Sequence, residues 1–225
     1  MPIIDAIFED NGHAQRTPCV VIVDGSYSMT EQDNIAKLNA ALQAFEQALK
    51  ADDEASVRVQ VSIIRMGGDR AEVIADWCDA VDFTAPLVRA DGATPMGSAV
   101  DLAMAKIAEI KEACRRNGTP YTRPWIFLMS DGAPTDADVW PGVADRCRQA
   151  QKDKKFILFP VAVGDNARIA PLQAFALDRP VVRSDAAKFR EMFEWLSASL
   201  SAMSNSAPGQ QVALPAPNAW MVADA

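Results

Sequence analysis

Short apolar runs alternate along this sequence with longer segments in which apolar residues recur every three or four positions. The first pattern is typical of buried parallel strands, and the second of the helices that connect them. Thr17–Asp24 (TPCVVIVD) is the clearest strand and Met96–Arg116 the clearest helix. The alternation predicts an α/β fold, a doubly wound and mostly parallel sheet with helices on both faces.

One strand differs from this pattern. Residues 56–66 (SVRVQVSIIRM) alternate apolar and polar side chains, which predicts a strand that pairs antiparallel at an edge of the sheet. The Gly-Gly-Asp turn after it predicts two short extended pieces, 71–75 and 79–83. The remaining predicted elements are strands at 124–130, 155–163 and 180–182 and helices at 35–49, 141–151, 171–176 and 185–204.

The composition changes near both ends of the chain. Residues 1–16 are predicted to be a lead-in and residues 17–204 a single domain. Residues 205–225 form a tail rich in Ser, Pro, Gly, Gln and Ala. We expect the tail to lie along the domain or against a neighbouring molecule, with Val212, Leu214, Trp220 and Met221 as its anchors.

Charge and cysteine usage exclude several classes of function. The net charge of −8 disfavours nucleic-acid binding, because an acidic surface repels a phosphate backbone. No apolar run approaches the roughly 20 residues of a membrane helix, and no basic stretch at the amino terminus indicates a signal peptide. The four cysteines are widely separated and the chain has one histidine, so we expect no zinc site. We therefore expect a cytoplasmic protein.

Three polar clusters follow predicted strands or lie in nearby loops, at residues 24–28, 91–94 and 131–136. In doubly wound sheets the ligand site lies beyond the carboxyl ends of the strands. We therefore expect the three clusters to form one site.

The first cluster reads Asp-Gly-Ser-Tyr-Ser, in which Asp24, Ser26 and Ser28 alternate with two other residues. A turn at this position directs one carboxylate and two hydroxyls toward a common point. Thr94 can add a hydroxyl, and Asp131 a second carboxylate. Oxygen ligands of this kind suit hard divalent cations, and magnesium in particular, which keeps several of its waters.

Each of these residues also has a simpler interpretation. Asp24 is a common turn former, and Thr94 could cap the helix that follows it. Asp131 followed by glycine is likewise a frequent turn.

Three further acids lie in the same loops. Asp136 and Asp138 are interpreted as solvated loop residues rather than ligands. Asp91 could hold the loop of Thr94 or simply form a turn.

The pattern resembles the metal-ion-dependent adhesion site (MIDAS) of von Willebrand factor type A domains. That family has D-x-S-x-S after the first strand, a later Thr and an Asp after the fourth strand, here Asp24, Ser26, Ser28, Thr94 and Asp131. The resemblance covers residues 17–204. It implies a von Willebrand A fold, which is Rossmann-like, and a bound Mg²⁺, with Mn²⁺ or Ca²⁺ as alternatives.

Three downstream stretches resemble the TerY-like bacterial branch of the family, which is associated with tellurium resistance. They read LMSDGAPTD at 128–136, VAVGDNA at 161–167 and FEWLSASL at 193–200. This resemblance implies an association with a PPM-type protein phosphatase and a Ser/Thr kinase in a tellurite or stress response.

Tyr27 departs from the family pattern, which usually has glycine at this position. A tyrosine limits the backbone freedom of the turn and adds a ring beside the site. We expect Tyr27 to lie exposed at the rim of the site, where it partly covers the metal or contacts a partner.

The function predicted is a metal-dependent protein-interaction module, a scaffold or sensor rather than an enzyme, whose partner donates a Glu or Asp carboxylate to the metal. One alternative is a magnesium-dependent phosphate-handling hydrolase with Asp24 as nucleophile. That chemistry expects a second Asp where Ser26 stands, and the sequence lacks the glycine-rich loop of nucleotide hydrolases. Another alternative is a partner-recruiting subunit of a chelatase or AAA-type assembly.

Overall fold

Six strands form one sheet in the computed structural model, which describes residues 14–131, 134–164, 167–206, 210 and 212–216, except the side chain of Ala186. In spatial order they are β3 (Arg70–Asp79), β2 (Val59–Gly67), β1 (Thr17–Asp24), β4 (Trp125–Ser130), β5 (Ile157–Val163) and β6 (Val182–Ser184). All neighbours pair in parallel except β2 and β3. The predicted fold class, with one antiparallel edge strand, is confirmed.

Helices cover both faces of the sheet. One face packs against α1 (Asn34–Lys50), α2 (Asp53–Arg58) and α6 (Phe189–Ser204), and the other against α3 (Met96–Arg116), α4 (Trp140–Lys152) and α5 (Ile169–Phe175). Successive residues of β1 enter opposite apolar cores, Val21 on the first face and Ile22 on the second. No helix within the described ranges is long and apolar enough to span a membrane.

The prediction for residues 56–66 is partly wrong. Residues 56–58 belong to α2, because the Asp52 carboxylate accepts hydrogen bonds from the amides of Glu54 (3.1 Å) and Ala55 (2.9 Å) and starts a helix. β2 lies between β1 and β3 and is buried along its whole length. The antiparallel edge strand is β3, a single strand where two short pieces were predicted. Alternation of side chains predicts a strand but does not show which neighbours it has.

The described part of the carboxyl-terminal tail, residues 212–216, contacts the first face of the sheet. Leu214 packs against the apolar core there, and the Trp195 indole N–H donates to the Pro215 carbonyl over 2.8 Å. Val212, a second predicted anchor, is half-buried. The remaining two, Trp220 and Met221, lie outside the described residues.

Candidate metal site

Asp24 ends β1, and hydrogen bonds on both of its carboxylate oxygens hold it in place. Its side chain is buried, with the residue only 2% exposed. The amide of Ser26 donates to Asp24 Oδ1 over 2.9 Å, and the hydroxyl of Ser130 donates to Oδ2 over 2.7 Å. The register of the sheet explains the second contact: Ile22 pairs with Leu128, so the last residues of β1 and β4 lie side by side.

A chain of hydroxyl groups connects this turn to Asp131. The hydroxyl oxygens of Ser26 and Ser28 lie 3.0 Å apart, and the Ser28 hydroxyl donates to Asp131 Oδ2 over 2.8 Å. Ser26 is itself buried, at 3% exposed. The four side chains of Asp24, Ser26, Ser28 and Asp131 therefore converge at the carboxyl ends of β1 and β4.

The two carboxylates affect each other electrostatically. Burial is the main cause that raises the pKa of Asp24 above its ordinary value, and the negative charge of Asp131 raises it further. Hydrogen bonds from Ser26 and Ser130 lower the pKa and partly oppose both effects. A buried carboxylate beside a second carboxylate is a location where a cation is electrostatically favoured.

Thr94 lies in a loop that is tied to this turn through the backbone. The amide of Tyr27 donates to the Gly92 carbonyl over 3.1 Å. On its other side, the Thr94 amide donates to the Thr135 hydroxyl over 3.1 Å, and the Thr135 amide to the Thr94 carbonyl over 3.0 Å. Thr94 is 4% exposed. The three polar clusters of the sequence therefore meet at one end of the sheet.

Arg65, which the sequence analysis did not identify, holds two of these loops together. From β2 it donates to the Arg89 carbonyl over 2.9 Å and forms ion pairs with Asp91 and, at 2.9 Å, with Glu72. The backbone of Asp91 bonds to Gly25 in turn, over 2.9 Å. Asp91 thus helps to hold the loop of Thr94, one of its two interpretations. In the sequence Arg65 is one of two arginines in a segment predicted to be an edge strand, so no signal there pointed to this role.

Asp136 was interpreted as a solvated loop acid, and this interpretation is wrong. Its carboxylate accepts hydrogen bonds from the amides of Gly97 (3.2 Å) and Ser98 (2.8 Å), in the first turn of α3. The N-cap position of α3 is Pro95, which has no side-chain acceptor, so the free amides of that turn need one from elsewhere. Asp136 fills the capping role that was considered for Thr94. Asp138 is exposed.

The side chain of Tyr27 is 71% exposed, between the two buried or half-buried serines of the turn. It therefore lies at the surface beside the site, as expected. Partial cover of a metal, or contact with a partner, stays a prediction.

The donor set fits a hard divalent cation. All the converging groups are oxygens, two from carboxylates and two from hydroxyls, and Thr94 lies in an adjoining loop. In the described ranges no three His, Cys, Asp or Glu side chains come together as a metal cluster. Such a site depends on hydroxyl and water oxygens, which is compatible with Mg²⁺. That these five residues bind metal stays a prediction.

Solved structures similar to this one share its fold at low sequence identity. A von Willebrand factor type A protein from Catenulispora acidiphila has a TM-score of 0.63 and 17% identity over 84% of this chain and 43% of its own. The vWF domain of the type V pili tip protein Mfa5 from Porphyromonas gingivalis has a TM-score of 0.62 and 11% identity, over 88% of this chain and 99% of its own. Proximal thread matrix protein 1 from the mussel byssus, with a zinc-occupied MIDAS motif, has a TM-score of 0.52 and 14% identity, over 83% of this chain and 47% of its own.

This chain spans less than half the length of the Catenulispora and mussel chains. Among curated proteins, none is similar enough in sequence to count as a match. The family model of the von Willebrand factor type A domain matches residues 19–195, which is most of the sequence. Together with the parallel sheet and the D-x-S-x-S turn at its carboxyl edge, this match shows that the chain belongs to the von Willebrand factor type A domain family.

Proposed function

We propose that this domain is a metal-dependent protein-interaction module that binds one Mg²⁺ through Asp24, Ser26, Ser28, Thr94 and Asp131. The observation that carries the proposal is the hydrogen-bonded series from Asp24 through Ser26 and Ser28 to Asp131, which gathers oxygen ligands at one point. Mn²⁺ and Ca²⁺ are the alternative ions, because they also prefer oxygen ligands.

The partner in this proposal donates a Glu or Asp carboxylate. When bound, the cation supplies positive charge and a coordination position open to a carboxylate oxygen. Ser26 and Ser28 contribute neutral oxygens, so the site holds fewer negative charges than a site made of carboxylates alone and can accept one from outside. The exposed Tyr27 ring lies where a partner would approach.

A non-catalytic role is supported by the surroundings of Asp24. Both of its carboxylate oxygens accept hydrogen bonds, one from Ser26 and one from Ser130, and the side chain is buried. A nucleophilic carboxylate needs an oxygen that a whole phosphate group can approach, whereas one hydrogen bond on each oxygen still leaves lone pairs for a small cation. The pili tip protein and the mussel protein with a zinc-occupied MIDAS motif, among the similar structures, also support an interaction module that uses metal.

We further propose that the partners are a PPM-type phosphatase and a Ser/Thr kinase of a tellurite or stress response, in the cytoplasm. The support is the resemblance of residues 128–136, 161–167 and 193–200 to the TerY-like branch. The four cysteines, all within the described residues, are free thiols, as is usual in a reducing compartment.

Calorimetric titration with Mg²⁺, Mn²⁺ and Ca²⁺ tests the metal site. Wild type should bind one ion and Asp131→Ala should bind none at millimolar concentration, whereas Asp138→Ala, an exposed acid of the neighbouring loop, should bind like wild type. Equal binding by Asp131→Ala and wild type would show that the site lies elsewhere.

Affinity capture from the native cell extract tests the partners. With magnesium present, the bound fraction should contain the phosphatase and the kinase, and both should be lost with chelator or with Asp131→Ala. Capture that is independent of metal would contradict a bridge through the cation.

A further inference from the structure

A cavity of about 290 Å³ lies between the sheet and the described part of the tail. Its walls come from β4, β5, β6 and α6 on one side and from residues 214–216 on the other, and we call it the tail cavity. It is defined by six of its lining residues: Phe127, Phe159, Arg179, Val182, Trp195 and Leu214. Arg179 precedes β6, at the amino end of that strand and away from the candidate metal site.

Three aromatic rings form one wall of the tail cavity. The centre of the Phe159 ring lies 6.3 Å from that of Phe127 and 6.0 Å from that of Trp195, and the Phe159 and Trp195 rings meet edge to face at 70°. Rings in this arrangement pack well against a further aromatic group. Since an apolar cavity of about 150 Å³ can hold benzene, the tail cavity has room for two fused rings.

The tail covers this wall through a small number of contacts. The Trp195 indole N–H donates to the Pro215 carbonyl over 2.8 Å, and Leu214 packs against the apolar core. Among the described residues, no hydrogen bond between backbone groups joins residues 212–216 to a strand. A segment held in this way opens at low cost, so a small molecule can enter the cavity.

Arg179 places a positive charge against the aromatic wall. Its guanidinium carbon lies 4.4 Å from the centre of the Phe159 ring. The Gln173 side chain, from α5, donates to the Arg179 carbonyl and accepts from the Val181 amide, both over 3.2 Å. These two hydrogen bonds hold the backbone on both sides of Pro180 and so position Arg179 beside the cavity.

The charge of Arg179 is not neutralised by a carboxylate in the part of the chain that the structure describes. Partial burial and, to a smaller extent, the positive charge of Arg123 lower the pKa of Arg179. Asp178 lines an adjoining depression with both arginines but forms no ion pair with either of them. Two neighbouring cations without a paired anion favour an anionic ligand, and a guanidinium group can bind a carboxylate through two parallel hydrogen bonds.

We propose that the tail cavity binds a small aromatic carboxylate. The rings of the ligand pack against Phe159 and Trp195, and its carboxylate pairs with Arg179. No metal ion takes part, so this site is independent of the candidate metal site and of the function proposed for it.

Calorimetric titration of the full chain with 2-naphthoate tests the site. Chelator is present throughout, so that the carboxylate cannot bind through a metal ion. Wild type should bind one 2-naphthoate, and about tenfold more weakly 2-naphthalenemethanol, which has the same rings without the charge. Absence of saturable binding of 2-naphthoate at millimolar concentration would overturn the proposal. Tighter binding of decanoate, a carboxylate with a flexible chain, would overturn the preference for an aromatic ligand.

Arg179→Gln tests the recognition of the carboxylate. This variant should bind 2-naphthoate and 2-naphthalenemethanol equally, with the affinity for the alcohol unchanged. The matched control is Arg190→Gln, an exposed arginine of α6 that pairs with Glu194 outside the cavity, and it should keep the tenfold preference. An equal loss of preference in both variants would show a general effect of surface charge and would overturn the proposal.

Val182→Phe tests the location of the ligand, because the larger side chain fills the cavity. This variant should bind neither 2-naphthoate nor 2-naphthalenemethanol, and a cooperative thermal melt would show that it is folded. Undiminished binding in the folded variant would place the ligand elsewhere and overturn the proposal. The Arg179→Gln comparison stands alone if Val182→Phe does not fold, since Arg179 is exposed and its side chain donates no hydrogen bond within the described ranges.

Discussion

The Ser130 hydroxyl donates a 2.7 Å hydrogen bond to Asp24 Oδ2 and so joins β4 to β1 at the point where both strands reach the candidate metal site. Ser130 is fully buried and does not belong to the D-x-S-x-S pattern. It orients the Asp24 carboxylate by a hydrogen bond from β4. The side of the carboxylate that faces Ser26 and Ser28 is thus available to a cation.

Replacing Ser130 by Ala should lower both stability and metal affinity. Asp24 would lose a donor while it stays buried, which we expect to cost about 1–3 kcal/mol of unfolding free energy. Urea denaturation in chelator measures this cost. The control is Ser199→Ala, because the buried Ser199 hydroxyl makes no hydrogen bond within the described residues and its removal should cost much less. An equal loss of unfolding free energy in Ser130→Ala and Ser199→Ala would show that the hydrogen bond from Ser130 to Asp24 does not stabilise the fold.

Replacing Asp131 by Asn should separate the metal site from the fold. The negative charge of Asp131 raises the pKa of Asp24, so its removal relieves a repulsion in the metal-free protein, while the amide oxygen can still accept from Ser28. Thermal melts in chelator should therefore be unchanged or slightly higher, and the stabilisation by added Mg²⁺ should disappear. A clear loss of stability in chelator would mean that the carboxylate has a structural role.

Replacing Tyr27 by Gly should restore the usual family pattern without harm to the fold. The side chain is 71% exposed, so we expect to lose no more than about 1 kcal/mol, from the added backbone freedom of glycine. Metal affinity should remain near the wild-type value, and affinity for the protein partner should change. Titration of metal and partner on the same preparation distinguishes the two effects, and an unchanged partner affinity would exclude a contact by Tyr27.

The fold class followed from the sequence because strands buried on both faces and crossover helices leave distinct patterns of apolar residues. The position of β2 inside the sheet could not be predicted from the sequence, which favoured an edge. Strand neighbours depend on contacts between distant parts of the chain, and the start of α2 depends on a single cap by Asp52 that resembles a solvated acid in the sequence.

The residues that gather at the candidate site could also be identified from the sequence, since D-x-S-x-S has a fixed spacing and follows a strand. The residues that support them could not. Arg65 and Asp136 act across 26 and 38 positions of sequence, on Asp91 and Ser98, and such pairings have no local signature. A charged residue is ordinary in the alternating edge strand that was predicted for residues 56–66, so Arg65 became unusual only when the structure showed that strand to be buried.

Asp52 should make stability depend on pH in the acidic range. The Ser201 hydroxyl, 2.5 Å away, and the amides of Ala55 and Glu54 hold its pKa below the ordinary value. A carboxyl group whose pKa is lowered by folding stabilises the fold above its ordinary pKa, and this contribution is lost as the pH falls through the lower folded value. Asp52→Ala should cost about 1 kcal/mol at neutral pH and less near about pH 3. Urea denaturation across this range, with exposed Asp53→Ala as control, would contradict the assignment if the difference were constant.

Replacing Gly25 by Ala tests whether the Arg65 contacts set the geometry of the metal site. A Cβ atom at residue 25 would lie 2.7 Å from Arg65 Nε and 2.8 Å from the Arg89 carbonyl oxygen. The second contact is with backbone, so the turn itself must shift, at a cost of about 1–3 kcal/mol. Because Ser26 follows directly, the shift should also weaken Mg²⁺ binding in calorimetry. Gly142→Ala is the matched control, since a Cβ there meets nothing within 4 Å and helix propensity favours alanine. If Gly25→Ala kept full Mg²⁺ affinity despite lower stability, the D-x-S-x-S turn would be positioned independently of Arg65.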